Sequence, residues 1–148
     1  MTQRRIGYAE GMEMTLRLAL PRESESVPVV RRILKHSLQA IRIEDTVISD
    51  VEVALSEACT NVLDHAGGTD EYEVTASISG CDCVIEVMDR GFGFDDSEPS
   101  SPPDEAEGGR GLLLMKAVSD RVSLSRHDAS GMTVRIEKHL SEKRLADR

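Results

Sequence analysis

The sequence predicts an α+β fold, a two-layer α/β sandwich whose mixed, mostly antiparallel sheet carries its helices on one face. Three observations lead there. Short segments of alternating apolar and polar residues read as half-buried strands, and two longer segments repeat apolar residues at steps of three and four, as helices do. Their order is strand, helix, helix, two strands, loop, helix, two strands, a grouping that suits helices stacked against one side of a sheet. No internal repeat or linker divides the 148 residues, so 1–148 is read as one domain.

Met12 to Leu20, M-E-M-T-L-R-L-A-L, alternates as a strand, and Pro21 ends it. Ser24 or Ser26 then caps a helix with Pro28 in its first turn, where a missing N–H costs little, and with Val30, Ile33, Leu34, Leu38 and Ile41 as its apolar positions. A second helix runs from about Asp45 to Ala66 on the spacing of Ile48, Val51, Leu55, Ala58 and Val62, and Gly67-Gly68 stops it. Tyr72 to Ser79 and Cys83 to Met88 form a hairpin around Gly80 and Asp82. Gly91 to Gly109 holds three of the five prolines and reads as a long loop, of a length that is usually functional or disordered. A short helix from Gly111 to Val118 follows, then strands near Val122 to Arg126 and Met132 to Lys138 around the turn D-A-S-G.

Charge narrows the function classes. There are 18 Lys plus Arg against 27 Asp plus Glu, a net charge of −9. Six of the acids, Asp95, Asp96, Glu98, Asp104, Glu105 and Glu107, fall in one stretch without a base, so the rest of the chain is close to neutral. No surplus of cations exists to neutralise a phosphate backbone or an anionic lipid surface, which argues against nucleic acid and membrane as partners. No apolar run approaches 18 residues, and the N-terminus M-T-Q-R-R-I-G-Y-A-E reads as carrying no export signal. Cys59, Cys81 and Cys83 are odd in number and lack zinc-type spacing, which fits a reducing, cytoplasmic setting in which they pack as small apolar residues.

The chemistry lies in three places. Glu57, Asn61 and His65 recur at every fourth residue of the second helix, drift only about 40° per step, and so share a polar face on a helix whose other side is apolar. Asp89-Arg90-Gly91-Phe92-Gly93-Phe94 follows directly on a strand end. Gly108-Gly109-Arg110-Gly111-Leu112 closes the loop and opens a helix, where glycines let backbone N–H groups approach an anion. Each alone is weak; together and in this order they describe a phosphate site.

These motifs resemble the GHKL (Bergerat) ATP-binding fold shared by histidine kinases and gyrase-type topoisomerases, over roughly residues 12–140. Within it the chain resembles the short, stand-alone anti-sigma factor serine/threonine kinases of the RsbW and SpoIIAB type. S-E-A-C-T-N-V-L-D-H-A resembles their N box, D-R-G-F-G-F their first glycine box, G-G-R-G-L-L-L-M their second, and G-M-T-V their terminal motif. The resemblance implies ATP with Mg²⁺ as cofactors, Asn61 as the metal-holding residue and Glu57 as the catalytic base or polariser for the attacking hydroxyl or water. It implies Asp89 as acceptor of the adenine amino group, Gly93 as the close approach to the base with Gly91 also at the nucleotide, Gly109 and Gly111 as N–H donors to the phosphates beside Leu112, and Thr133 near adenine, directly or through water. His65 either lines the nucleotide pocket or caps the helix end. Arg110, between two glycines, is the better phosphate contact of the two arginines flanking the loop, and Phe92 and Phe94 are read as anchors to the core. The implied partners are a sigma factor and a STAS-type anti-anti-sigma protein, with the kinase a homodimer. A nucleotide-gated binding module with little or no kinase turnover is the alternative. The six acids then fall in the ATP lid, where they either point away from the triphosphate while Arg110 and Mg²⁺ face it, or are drawn to basic surface on a partner.

Overall fold

Five strands pair in the order β1-β2-β3-β5-β4, and every pairing is antiparallel. The computed structural model describes residues 11–65, 70–89, 105–127 and 131–143. In chain order they are β1 (Glu13–Pro21), α1 (Ser26–Ala40), α2 (Asp45–His65), β2 (Glu71–Ser79), β3 (Asp82–Asp89), α3 (Glu105–Val118), β4 (Arg121–His127) and β5 (Gly131–His139). Gly91, Gly93, Arg90, Phe92, Phe94 and the acids at 95–104 lie outside the described residues, as do the side chains of His65, Glu105 and Glu107.

The expected elements are present, and the sheet is antiparallel throughout rather than mixed. Pairing carries β1 through Pro21, which sits opposite Glu71 on the last rung of an edge strand, where a missing N–H is tolerated. The helical periodicity does what it predicts: Val30, Leu34 and Leu38 of α1 and Ile48, Val51, Leu55, Ala58 and Val62 of α2 are buried, whereas Ile33 is turned outward. On the sheet, Val74, Ala76 and Ile78 stand beside Val87, Ile85 and Cys83, and these beside Val134 and Ile136, which makes one continuous apolar face against the helices. The opposite face carries the ion pairs Arg135–Glu86 at 3.1 Å and Arg121–Glu137 at 3.5 Å.

Neither serine caps α1. Glu25 holds the cap position without a side-chain bond, and Ser26 donates its hydroxyl proton to the Glu23 carbonyl at 2.6 Å instead. With that proton committed, Tyr72 is the donor in its 2.5 Å bond to Ser26, and Cys59 of α2 bonds to the same phenol. A buried polar group needs such partners, and this chain ties α1, α2 and β2 together where they converge.

Burial pushes the Cys59 thiol up to about 12, partly offset by the Tyr72 bond; burial does the same for Cys83 and for the Tyr72 phenol. All three groups stay neutral in the folded protein but ionise from pH 9 or 10 once unfolded, so their stabilising contribution is complete below pH 9 and is lost as pH rises toward 12. Melting temperature is expected to fall from about pH 9 upward, the two thiols together costing on the order of 2–4 kcal/mol by about pH 10.5. Thiol labelling in the native state is expected to modify Cys81 and to spare Cys59 and Cys83 until the protein unfolds. Rapid labelling of all three would contradict the burial.

Candidate functional site

Glu57 and Asn61 form a polar stripe on α2 that meets the start of α3. A Cβ at Gly111 would lie 2.8 Å from Glu57 Oε2 and 3.3 Å from Asn61 Oδ1, so the bare backbone passes directly over the pair and a side chain there would displace the Glu57 carboxylate. Gly109 has φ 52° and ψ −145°, a conformation closed to L side chains, and it breaks α3 between a turn at 105–108 and the helix from Arg110 onward. The helical turn from Glu105 to Gly108 occupies the end of the segment expected to be loop. Leu112 then packs into the core together with Met115, three residues on, while Leu113 is 68% exposed. Arg110 is exposed beside the site. The two glycines therefore act differently: Gly109 sets the angle of entry and Gly111 permits contact.

Asn61 is 6% exposed, and its Nδ2 has no hydrogen-bond partner among the described residues. A buried amide left in that state costs of order 1–3 kcal/mol, which marks a place for a polar ligand. Its Oδ1 and the Glu57 carboxylate are hard oxygens, and Mg²⁺ takes few of these from a protein, completing its shell with water and phosphate. The donor set fits that ion. Bound with ATP, Mg²⁺ would neutralise charge on the phosphate oxygens.

At the end of β3, Asp89 continues the alternation Cys83, Ile85, Val87 and so points to the helix layer; its side chain is 0% exposed. Arg22, in the segment after β1, stands against it, with Nη1 3.8 Å from Asp89 Oδ2. The other guanidinium nitrogen, Nη2, donates to the carbonyls of Val62 at 3.2 Å and Leu63 at 3.0 Å on α2. Sequence reasoning missed Arg22, because nothing in P-R-E-S marks it until the pairing of β1 with β2 and β2 with β3 brings Pro21, Glu71, Tyr72 and Asp89 together.

Thr133 is not brought to this cluster. It pairs with Met88 and Ser125 and faces the open side of the sheet, whereas Met132 and Val134 share the buried side with Asp89. A strand's period of two decides this, and the residue beside the carboxylate is therefore an apolar Met132. His65 ends α2, one turn past Asn61.

Residues 20–138 match the family described as Histidine kinase-like ATPase domain. Curated relatives include the serine-protein kinase RsbW of Bacillus subtilis, 32% identical over 143 residues that cover 88% of each chain. The chain belongs to the RsbW family of histidine kinase-like ATPases. The serine-protein kinase RsbW of Halalkalibacterium halodurans is 31% identical over an alignment covering 97% of this chain and 92% of that one. A solved structure of the RsbU and RsbW domains of a Mycobacterium tuberculosis protein superposes with a TM-score of 0.68 at 24% identity, covering 88% of this chain and 33% of that one. Membership of this ATP-binding kinase family implies the use of ATP, and the GHKL fold accounts for the layered sheet and helices. No helix among the described residues is long and apolar enough to cross a membrane.

Proposed function

We propose that the protein is an ATP-dependent anti-sigma factor serine/threonine kinase, a cytoplasmic homodimer that holds a sigma factor and phosphorylates a STAS-type anti-anti-sigma protein. The observation that carries the reading is the fit of Gly111 over Glu57 and Asn61, which places a carboxylate and a buried amide against the glycine-rich start of a helix. In this reading Asn61 holds Mg²⁺ and Glu57 accepts the proton of the attacking serine or threonine hydroxyl. The γ-phosphoryl group passes to that oxygen, and ADP leaves. The backbone N–H groups at Gly109 and Gly111, with Arg110, take the phosphates, and Asp89 accepts from the adenine amino group beside Gly91 and Gly93. Phosphoryl transfer asks for this kind of help, since positioning and charge neutralisation dominate its catalysis.

Incubation with radiolabelled ATP, Mg²⁺ and the cognate STAS protein is expected to move the label onto one serine or threonine of that protein and to free the bound sigma factor. Tight ATP binding without transfer would overturn the kinase reading and leave a nucleotide-gated binding module.

A further inference from the structure

We propose that Arg22 is the positioning residue for the adenine-recognising carboxylate, and that it sets the selectivity of the site for a 6-amino over a 6-oxo purine. The inference rests on the reading of Asp89 as the acceptor for the base. A carboxylate with no exposed surface needs a cation or several donors to remain in place, and Arg22 is the cation beside it. The guanidinium is itself held, because Nη2 donates to the last-turn carbonyls of Val62 and Leu63 while Nη1 stands 3.8 Å from Oδ2. A planar fork bonded to main chain on one side has little freedom on the other. At 3.8 Å the contact is an ion pair rather than a hydrogen bond, and its charge draws Oδ2 to the Arg22 side.

That anchoring has a chemical consequence. A fixed carboxylate accepts a hydrogen bond from the amino group of adenine but meets only another acceptor in the 6-oxo group of hypoxanthine. Sites built around such a polar partner reject the mismatched analogue strongly, whereas a carboxylate able to swing away rejects it weakly. Arg22 also links two parts of the site, since the carbonyls it holds belong to residues one and two positions beyond Asn61. The guanidinium thus couples the end of α2 to the carboxylate.

Binding of ATP and inosine triphosphate, measured by calorimetry on the full chain, tests this. The parent is expected to prefer ATP, and Asp89→Asn to abolish the preference. Arg22→Gln is expected to lower the ATP-to-inosine-triphosphate preference by about tenfold, mostly through weaker ATP binding, with Arg22→Lys in between because one ammonium cannot serve both Asp89 and the helix carbonyls. Adding Arg22→Gln to Asp89→Asn should change the ratio no further, the mark of two residues acting as one unit. A parental ratio in Arg22→Gln beside a collapsed one in Asp89→Asn would reduce Arg22 to a helix-end support and overturn the proposal. An unchanged ratio in Asp89→Asn would instead overturn the base-recognition reading beneath it. If Arg22→Gln does not fold, Arg22→Lys decides: a parental ratio there overturns the proposal and an intermediate one upholds it.

Discussion

Glu57→Gln is expected to bind ATP as the parent does while phosphate transfer to a STAS protein falls by two to three orders of magnitude. A positioned general base contributes about 10²–10⁴-fold, and the amide that replaces it cannot take the hydroxyl proton. The substitution preserves shape, so the contact with Gly111 and the packing of α3 on α2 remain. ATP affinity by calorimetry and initial transfer rates at saturating ATP separate the two effects. Loss of rate with parental affinity supports the base; a parental rate excludes it. Equal loss of both would mean that the carboxylate binds metal or phosphate in the ground state rather than acting on the nucleophile.

The parts of this site that were legible in the sequence are those governed by local periodicity. Glu57 and Asn61 are neighbours because α2 has 3.6 residues per turn, and Asp89 faces the helices because β3 alternates. The same rule, applied across the sheet, puts Thr133 on the open face: its neighbour Met132 has the buried parity, and only the register of β3 against β5 says which face is which. Arg22 was illegible for the opposite reason, since its three contacts lie 40 or more residues away and depend on two successive strand pairings. The failed cap of α1 is similar. Ser26 has a perfectly good local role on paper, but Tyr72 approaches from β2 and draws its hydroxyl into a buried chain with Cys59. The turn at 105–108 is masked in the sequence by the prolines and acids around it, which read as loop, while the break that separates it from the helix proper needs the positive φ of Gly109. Long-range pairing, not residue chemistry, is what the linear reading lacks.

Gly111→Ala is the sharper test of the site, because it is expected to leave the fold intact and still silence the protein. The added methyl would sit 2.8 Å from Glu57 Oε2, 3.3 Å from Asn61 Oδ1 and 3.8 Å from Glu57 Cδ. The closest atom is the free end of a flexible side chain, so the overlap is relieved by swinging the Glu57 carboxylate away rather than by moving α3. Gly to Ala within a helix adds about 0.5–1 kcal/mol of conformational preference, which offsets much of the rotamer cost. Melting temperature should therefore stay within a few degrees of the parent. Phosphate transfer should nevertheless fall by about 100-fold or more, since a misplacement near 1 Å is enough to cost that much. Mg²⁺-dependent strengthening of ATP binding should weaken as well, because the methyl also crowds Asn61 Oδ1. Combining Gly111→Ala with Glu57→Gln should lower the rate little beyond the worse single variant, as both remove the same carboxylate from its working position. Parental transfer by Gly111→Ala would show that the gap between α2 and α3 is ordinary packing and that the reacting groups lie elsewhere.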